Sequence, residues 1–251
     1  AGILKPGVPC VVDNTNSPEV VATVRARIQE LGIDSLFVSP ATVSEQIPAL
    51  APYFQKFDLE PHQQENMCCA VSALRLALSQ LRPEMDAFSL LPYLADVTWP
   101  GRLQNIILQS LIGRAEPILL DGAHNVQSAE VLGKYVDRKM RVQGQPVTWV
   151  VAASSGKDLA GVFGSIIRPG DRVATAEFGP VDGMPWVQPT NAKELASSLQ
   201  AIQNIGQVQS FEGDLLPAIQ WASQEAQGGP LVIAGSLYLV SDVLRLLRAQ
   251  K

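Results

Sequence analysis

The sequence predicts an α/β protein in two parts, and three observations carry that reading. From Arg102 onward, short apolar runs alternate with stretches of helical spacing. That pattern folds as a largely parallel sheet covered by helices on both faces. Earlier, His62–Leu81 places Met67, Val71, Leu74, Leu78 and Leu81 at spacings of four, three, four and three, one face of a helix. Between the two patterns lies the Pro- and Gly-containing break Trp99-Pro100-Gly101. It sets the expected domains at residues 1–97 and 98–251.

In the first part, Pro9–Val12 reads as a strand. Ser17-Pro18-Glu19 then supplies an N-cap, a proline at the first helical position and an acidic first turn for a helix through Leu31, stopped by Gly32. Leu36–Val38 follows as a second strand, completing a βαβ-like unit. After His62–Leu81, a further helical piece fills Pro83–Leu94. With two or three strands and more helix than they can cover, this part reads as the end of a domain.

In the second part, strands are expected at 117–120, 147–152, 172–176, 207–211 and 231–234. Helices are expected at 126–140, 158–167, 191–202 and 214–226, with a last one after Ser236. Right-handed crossovers between such elements make a complete Rossmann-like domain. No internal repeat or low-complexity segment interrupts it.

Composition narrows the partners. Lys and Arg number 19 against 24 Asp and Glu, a net charge of −5, with no basic cluster, so neither nucleic acid nor acidic lipid is an expected partner. Cys10, Cys68 and Cys69 are too few and too badly spaced for a disulfide framework, which fits a reducing compartment. Two histidines, His62 and His124, without CxxC or HExxH spacing argue against a protein-built zinc site. No apolar run approaches the roughly 20 residues that span a bilayer, and no signal pattern opens the chain. A soluble protein acting on a small molecule is expected.

The polar groups that could hold such a ligand gather where strands hand over to helices. Arg102, after Pro-Gly, offers a fixed fork of donors to phosphate oxygens, or else forms an inter-domain salt bridge. Asp121, in Asp121-Gly122-Ala123-His124-Asn125, accepts from two ribose hydroxyls or caps the next helix, a task Asn125 serves equally well. His124 contacts phosphate or is a structural hydrogen-bonding group. His62 and Asn66, four apart, share a helix face and point at a base or phosphate unless they only cap.

Ser154-Ser155-Gly156-Lys157-Asp158 follows a strand but fails as a phosphate loop: Val151 stands where the first Gly belongs, and Asp158 where Ser or Thr would bind magnesium. Lys157 and Asp158 are therefore candidate substrate contacts. The turn-rich run Phe178–Trp186, which includes Asp182, is a functional loop or an ordinary connection packed by its own Trp. Ser236, in Gly235-Ser236-Leu237-Tyr238, caps a helix or donates to an anion at its N-terminus.

Taken together, Ala1-Gly2-Ile3-Leu4-Lys5-Pro6-Gly7, His62 with Asn66, Trp99–Arg102, Asp121–Asn125 and Gly235–Tyr238 resemble, in order and spacing, the folylpolyglutamate synthase and dihydrofolate synthase family of Mur-ligase-like enzymes. The resemblance covers nearly the whole chain, and Phe178–Trp186 with the lack of long insertions looks most like the fungal dihydrofolate synthases. It implies that residues 1–97 are the last portion of a P-loop-type ATPase domain. Residues 98–251 are then a linker and a Rossmann-like C-terminal ligase domain that supplies the glutamate site.

The implied reaction is ATP-dependent joining of L-glutamate to 7,8-dihydropteroate through an acyl phosphate. Carried over by position, Arg102 contacts the ATP phosphates, Asp121 the ribose and Asn66 the nucleotide, and His124 is the catalytic candidate near the reacting phosphates. His62, Asn125, Lys157, Asp158, Asp182 and Ser236 are further contact candidates. The resemblance also implies a glycine-rich loop, Mg2+ ligands and a carbamylated lysine upstream of Ala1, so that residues 1–251 alone would not make the acyl phosphate. No metal ligand is expected in this chain. A cytoplasmic or mitochondrial monomer fits.

Two alternatives stay open: a folylpolyglutamate synthase extending reduced folates, and a non-catalytic nucleotide-binding module. A generic Rossmann oxidoreductase is disfavoured because no G-x-G-x-x-G follows a strand.

Overall fold

The computed structural model describes residues 2–202 and 204–249, so Ala1 of the first motif lies outside the described residues. The chain divides into two compact units, Ala1–Val97 and Thr98–Lys251.

The first unit runs β1 (Cys10–Asp13), α1 (Pro18–Leu31), β2 (Ser35–Val38), α2 (Pro40–Gln46), α3 (Ala51–Lys56), α4 (Pro61–Leu81) and a 3-10 helix, Ala87–Asp96. β1 and β2 pair in parallel, Cys10 opposite Ser35 through Asp13 opposite Val38. Two strands are therefore described, and α1 is their crossover. Ser17 holds the N-cap position of α1, but its side chain makes no capping bond.

Two short helices the sequence reading passed over, α2 and α3, each begin with a proline in their first turn; Ser39 and Thr42 close a capping box on α2. Val38, Val43, Ile47, Leu50, Cys68 and Val71 form the buried centre. The helix expected over Pro83–Leu94 is a correction: 3-10 geometry begins at Ala87, and Pro92 inside it has no N–H to give an α-helical bond.

The second unit runs β3 (Gln104–Leu108), α5 (Gln109–Ile112), β4 (Arg114–Leu120), α6 (Val126–Lys139), β5 (Thr148–Val151), α7 (Leu159–Gly164), β6 (Arg172–Thr175), α8 (Ala192–Gln200), β7 (Val208–Ser210), α9 (Leu215–Ala226), β8 (Leu231–Ala234) and α10 (Leu237–Ala249). The six strands lie in the order β3-β4-β8-β5-β6-β7. From β4 to β7 they are parallel, whereas β3 is antiparallel to β4. The sheet is thus mixed, and β3 was invisible as a separate strand because a single turn of helix folds it back onto β4.

Side chains alternate across the sheet as a period of two demands. Leu119, Trp149, Val151, Val173 and Val232 pack with α6, α7 and α8. Leu120, Val150, Ala174, Leu231 and Ile233 pack with α9 and α10 on the other face.

The amino ends of β5 and β6 are locked by a buried carboxylate. Asp171 is fully buried and accepts from Arg141 Nη1 at 2.6 Å and Nη2 at 2.6 Å, from Trp149 Nε1 at 2.9 Å, and from the amides of Val147 at 2.9 Å and Arg168 at 3.0 Å. Burial works to lower the Arg141 pKa, but the hydrogen bonds and charges of Asp171 and Asp137 outweigh it and hold the guanidinium above its ordinary value. Among the described residues, no helix is long and apolar enough to cross a membrane.

Candidate functional site

The parallel strands of the second unit all end at one edge, and the connections that leave it diverge. The chain leaving β4 and β5 enters α6 and α7 on one face, while the chain leaving β8, which lies between them, enters α10 on the other. Adjacent strands whose helices go to opposite faces open a crevice, the usual place for a ligand in such sheets. A cleft of about 410 Å³ lies there. It is lined by His124 after β4, Ser154, Ser155 and Lys157 after β5, Trp186, Val187 and Gln188 before α8, and Ser236, Leu237 and Tyr238 after β8. This lining contains hydroxyls, an imidazole and an ammonium but no carboxylate, a composition suited to an anionic ligand.

The walls are tied together by backbone. Ser155 N–H donates to Gln188 O at 2.9 Å, its hydroxyl to Pro189 O at 3.0 Å, and Thr190 N–H to Ala153 O at 2.7 Å. Phe178 anchors its loop, buried 5.1 Å from the Tyr238 ring. Trp186 is 74% exposed, which corrects the view of that loop as packed by its own Trp.

The antiparallel strand β3 brings the two polar runs side by side. Gln104 is registered opposite Leu120, so the residues before β3 meet those after β4. Arg102 N–H closes a turn on Trp99 O at 3.2 Å, with Pro100 second and Gly101, at φ +68°, third. Gly122 N–H donates to Gly101 O at 2.7 Å, and Leu103 N–H to Asp121 Oδ2 at 2.8 Å. Gly122 lets two side chains approach its backbone: a Cβ there would lie 2.8 Å from Arg102 Nη1 and 2.2 Å from Leu237 Cδ2, so both side-chain ends would have to move. The Arg102 guanidinium therefore lies over the Asp121–Gly122 backbone. It pairs with no carboxylate among the described residues of its unit.

Asp121, 7% exposed, also accepts from Ala123 N–H through Oδ1 at 2.8 Å. Its carboxylate thus shapes both runs at once. His124 is fixed through one ring nitrogen: Nδ1 lies 2.8 Å from Gly122 O, and a carbonyl only accepts, so Nδ1 carries a proton. Nε2 remains as the ring nitrogen available for other chemistry.

The other expected site residues fall into distinct roles. Asn125, not Asp121, caps α6, with Oδ1 accepting from Ser128 N–H at 2.9 Å. Asp158 caps α7 through Gly161 N–H at 2.9 Å, and Ser236 Oγ accepts from Tyr238 N–H at 3.1 Å while facing the cleft. Lys157 stands exposed in the cleft wall. Asp182 is outside that lining, its fully exposed side chain 3.8 Å from Arg245 Nη2.

His62 and Asn66 lie on α4 of the first unit, where Glu60 and Gln63 form the capping box; capping therefore does not account for His62 and Asn66. Gln104 was not singled out by sequence, yet its Oε1 accepts from Gly101 N–H at 2.9 Å. Only the β3–β4 register signals it.

Among the described residues, no group of three or more His, Cys, Asp or Glu side chains is arranged to hold a metal ion. The cysteines are free thiols. Burial, then the charge of neighbouring Cys69, pushes Cys68 up to about 11, which leaves it a poor nucleophile.

Residues 104–246 match the family described as dihydrofolate synthetase, C-terminal domain. The chain is 32% identical over 258 residues to the dihydrofolate synthetase of Saccharomyces cerevisiae, covering 98% of this chain and 59% of that protein. It is 29% identical over 261 residues to a probable dihydrofolate synthetase of Schizosaccharomyces pombe, covering 99% of this chain and 60% of that protein. The chain thus spans about three fifths of these relatives' length.

Among solved structures, it resembles Mycobacterium tuberculosis folylpolyglutamate synthase complexed with ADP, at a TM-score of 0.66 and 16% identity, over 96% of this chain and 55% of that one. It also resembles the bifunctional folylpolyglutamate synthase/dihydrofolate synthase of Yersinia pestis complexed with AMPPNP and Mn ion, at a TM-score of 0.65 and 20% identity, over 98% and 55%. These two likenesses establish the Mur-ligase-like fold.

Proposed function

Because this chain belongs to the dihydrofolate synthetase family, we propose that it contributes nucleotide and amino-acid contacts to an ATP-dependent ligase joining L-glutamate to 7,8-dihydropteroate. The observation that carries the reading is the juxtaposition of Arg102, Asp121 and His124 at the carboxyl edge of the sheet, beside a cleft lined without carboxylates. The two fungal relatives above are a dihydrofolate synthetase and a probable dihydrofolate synthetase, at 32% and 29% identity, whereas a probable folylpolyglutamate synthase of Saccharomyces cerevisiae is at 26%. That ranking favours dihydropteroate over a folate as acceptor.

In this reading, an oxygen of the pteroate carboxylate attacks the γ-phosphorus of ATP, the bond to the bridging oxygen breaks, and ADP leaves. The glutamate amine then attacks the acyl carbon, loses its proton, and expels inorganic phosphate. Phosphate leaves where a carboxylate oxygen would not, so the protein's share is positioning and charge neutralisation.

Arg102 balances phosphate charge. Asp121 holds the Arg102 turn and is the contact assigned to the ribose. His124, fixed through Nδ1, presents Nε2 to the reacting phosphates. The cleft takes glutamate, with Lys157 and Ser236 available to its carboxylates. On α4 of the first unit, Asn66 is a candidate for nucleotide contact and His62 for nucleotide or substrate contact. Mg2+ belongs to the proposed reaction, but the described residues offer no group of three or more His, Cys, Asp or Glu side chains to hold it. Three free thiols suit a reducing compartment, cytoplasmic or mitochondrial.

The test is turnover by an enzyme containing these residues, supplied with ATP, L-glutamate and either 7,8-dihydropteroate or a reduced folate. Dihydropteroate should be the better acceptor, and Arg102→Ala should lower turnover at least tenfold. Preference for the folate would overturn the choice of substrate, and unchanged turnover in Arg102→Ala would overturn the site.

A further inference from the structure

We infer that Gln104 is a positioning residue for the phosphate-binding arginine: its side chain holds the turn that aims Arg102. The inference rests on the reading of Arg102 as a nucleotide phosphate contact, and it follows from how the turn is built. Arg102 lies between two residues with left-handed backbone, Gly101 at φ +68° and Leu103 at φ +44°. For leucine that conformation is strained, and strain of this kind persists only where surrounding bonds over-determine it.

Four hydrogen bonds supply the restraint. Asp121 Oδ2 takes the Leu103 amide, Gly122 N–H donates to Gly101 O, Trp99 O takes the Arg102 amide, and Gln104 Oε1 takes the Gly101 amide. The first three come from backbone or from a carboxylate already assigned to the nucleotide. Gln104 is the side chain whose described bond is only to this turn. The central Gly101 amide has no partner inside the turn itself, so removing the Gln104 carbonyl leaves that amide unsatisfied and releases one of the four restraints.

Arg102 itself cannot hold the geometry. Its one described side-chain hydrogen bond is Nη1 to Gly101 O at 3.5 Å, at the limit of a hydrogen bond. A guanidinium with so little of its own anchoring depends on a fixed backbone to meet a phosphate in a two-pronged geometry. Gln104 is itself held, since it opens β3 opposite Leu120, one residue before Asp121. The strand thus couples the aim of Arg102 to the end of β4.

The experiment titrates ADP and adenosine into the chain carrying Gln104→Met, Gln104→Ala, Arg102→Ala and Gln104→Met/Arg102→Ala, following Arg102 Nε–H by NMR where Arg102 is present and the other shifted amides in every variant. Gln104→Met should weaken ADP by about three- to tenfold, the range expected from one hydrogen bond, and leave adenosine unchanged. The double variant should bind ADP no more weakly than Arg102→Ala alone, because both act through one group. Gln104→Ala supplies the same comparison should the methionine variant fold poorly. If Arg102→Ala weakens ADP but the Gln104 variants do not, or weaken ADP and adenosine alike, the positioning role is overturned and the Arg102 reading stands. If Arg102→Ala leaves ADP unchanged, or the chain does not distinguish ADP from adenosine, the Arg102 reading fails and the inference with it.

Discussion

The two ends of the six-stranded sheet are built from similar residue types to opposite effect. At the amino end, Asp171 and Arg141 face each other with both guanidinium prongs on one carboxylate, and the remaining acceptor sites of Asp171 are filled by an indole and two amides. At the carboxyl end, Asp121 and Arg102 are brought side by side, yet the described bonds of the carboxylate are to backbone amides and the guanidinium lies over glycine. The first arrangement consumes its polar capacity and fastens two strands. The second uses its aspartate to shape a loop and, among the described residues of the unit, gives its arginine no carboxylate partner. Polar groups satisfied internally serve stability, whereas a charge without an internal partner is what the proposed phosphate contact requires.

The largest way to break this contrast is Asp171→Ala. It leaves the two Arg141 prongs and three further donors without their buried acceptor, and chemical denaturation should register about 3–5 kcal/mol of lost stability. A loss below about 1 kcal/mol would mean that the amino end does not hold the sheet. Asn125→Ala should cost about 1 kcal/mol by removing the cap of α6, with ADP affinity little changed. If that variant abolished ADP binding at unchanged stability, Asn125 would belong to the site rather than to the cap. Arg102→Ala should be the mildest in stability, within about 0.5 kcal/mol of the parent, while ADP affinity falls about tenfold, the cost of losing a charged hydrogen bond. A stability loss comparable to that of Asp171→Ala would erase the difference between the two ends.

Much of this architecture was legible in the chain. The strands at 148–151, 172–175 and 231–234 are apolar runs buried on both faces, and α4, α6 and α9 show helical spacing or clear caps. Asp121 and Arg102 were conspicuous as polar residues at breaks in such patterns. What escaped notice shares one cause. β3 begins with Gln104-Asn105 and resembles a loop until it pairs with β4. Asp171 reads as a turn residue before a strand, and its burial depends on Arg141, thirty positions away. Gln104 has no local signature at all.

Periodicity, caps and turn residues act within a few positions, and for that reason the α/β class and the order of the parallel strands along the chain could be read from local patterns alone. The tertiary structure alone decided that β8 inserts between β4 and β5, which opens the cleft, and that β3 turns back against β4, which sets Arg102 over Gly122. Strand order and register arise from hydrogen bonds between segments distant in sequence, and no local propensity encodes them. The candidate polar groups were written in the chain, and which of them lie side by side was settled by pairing.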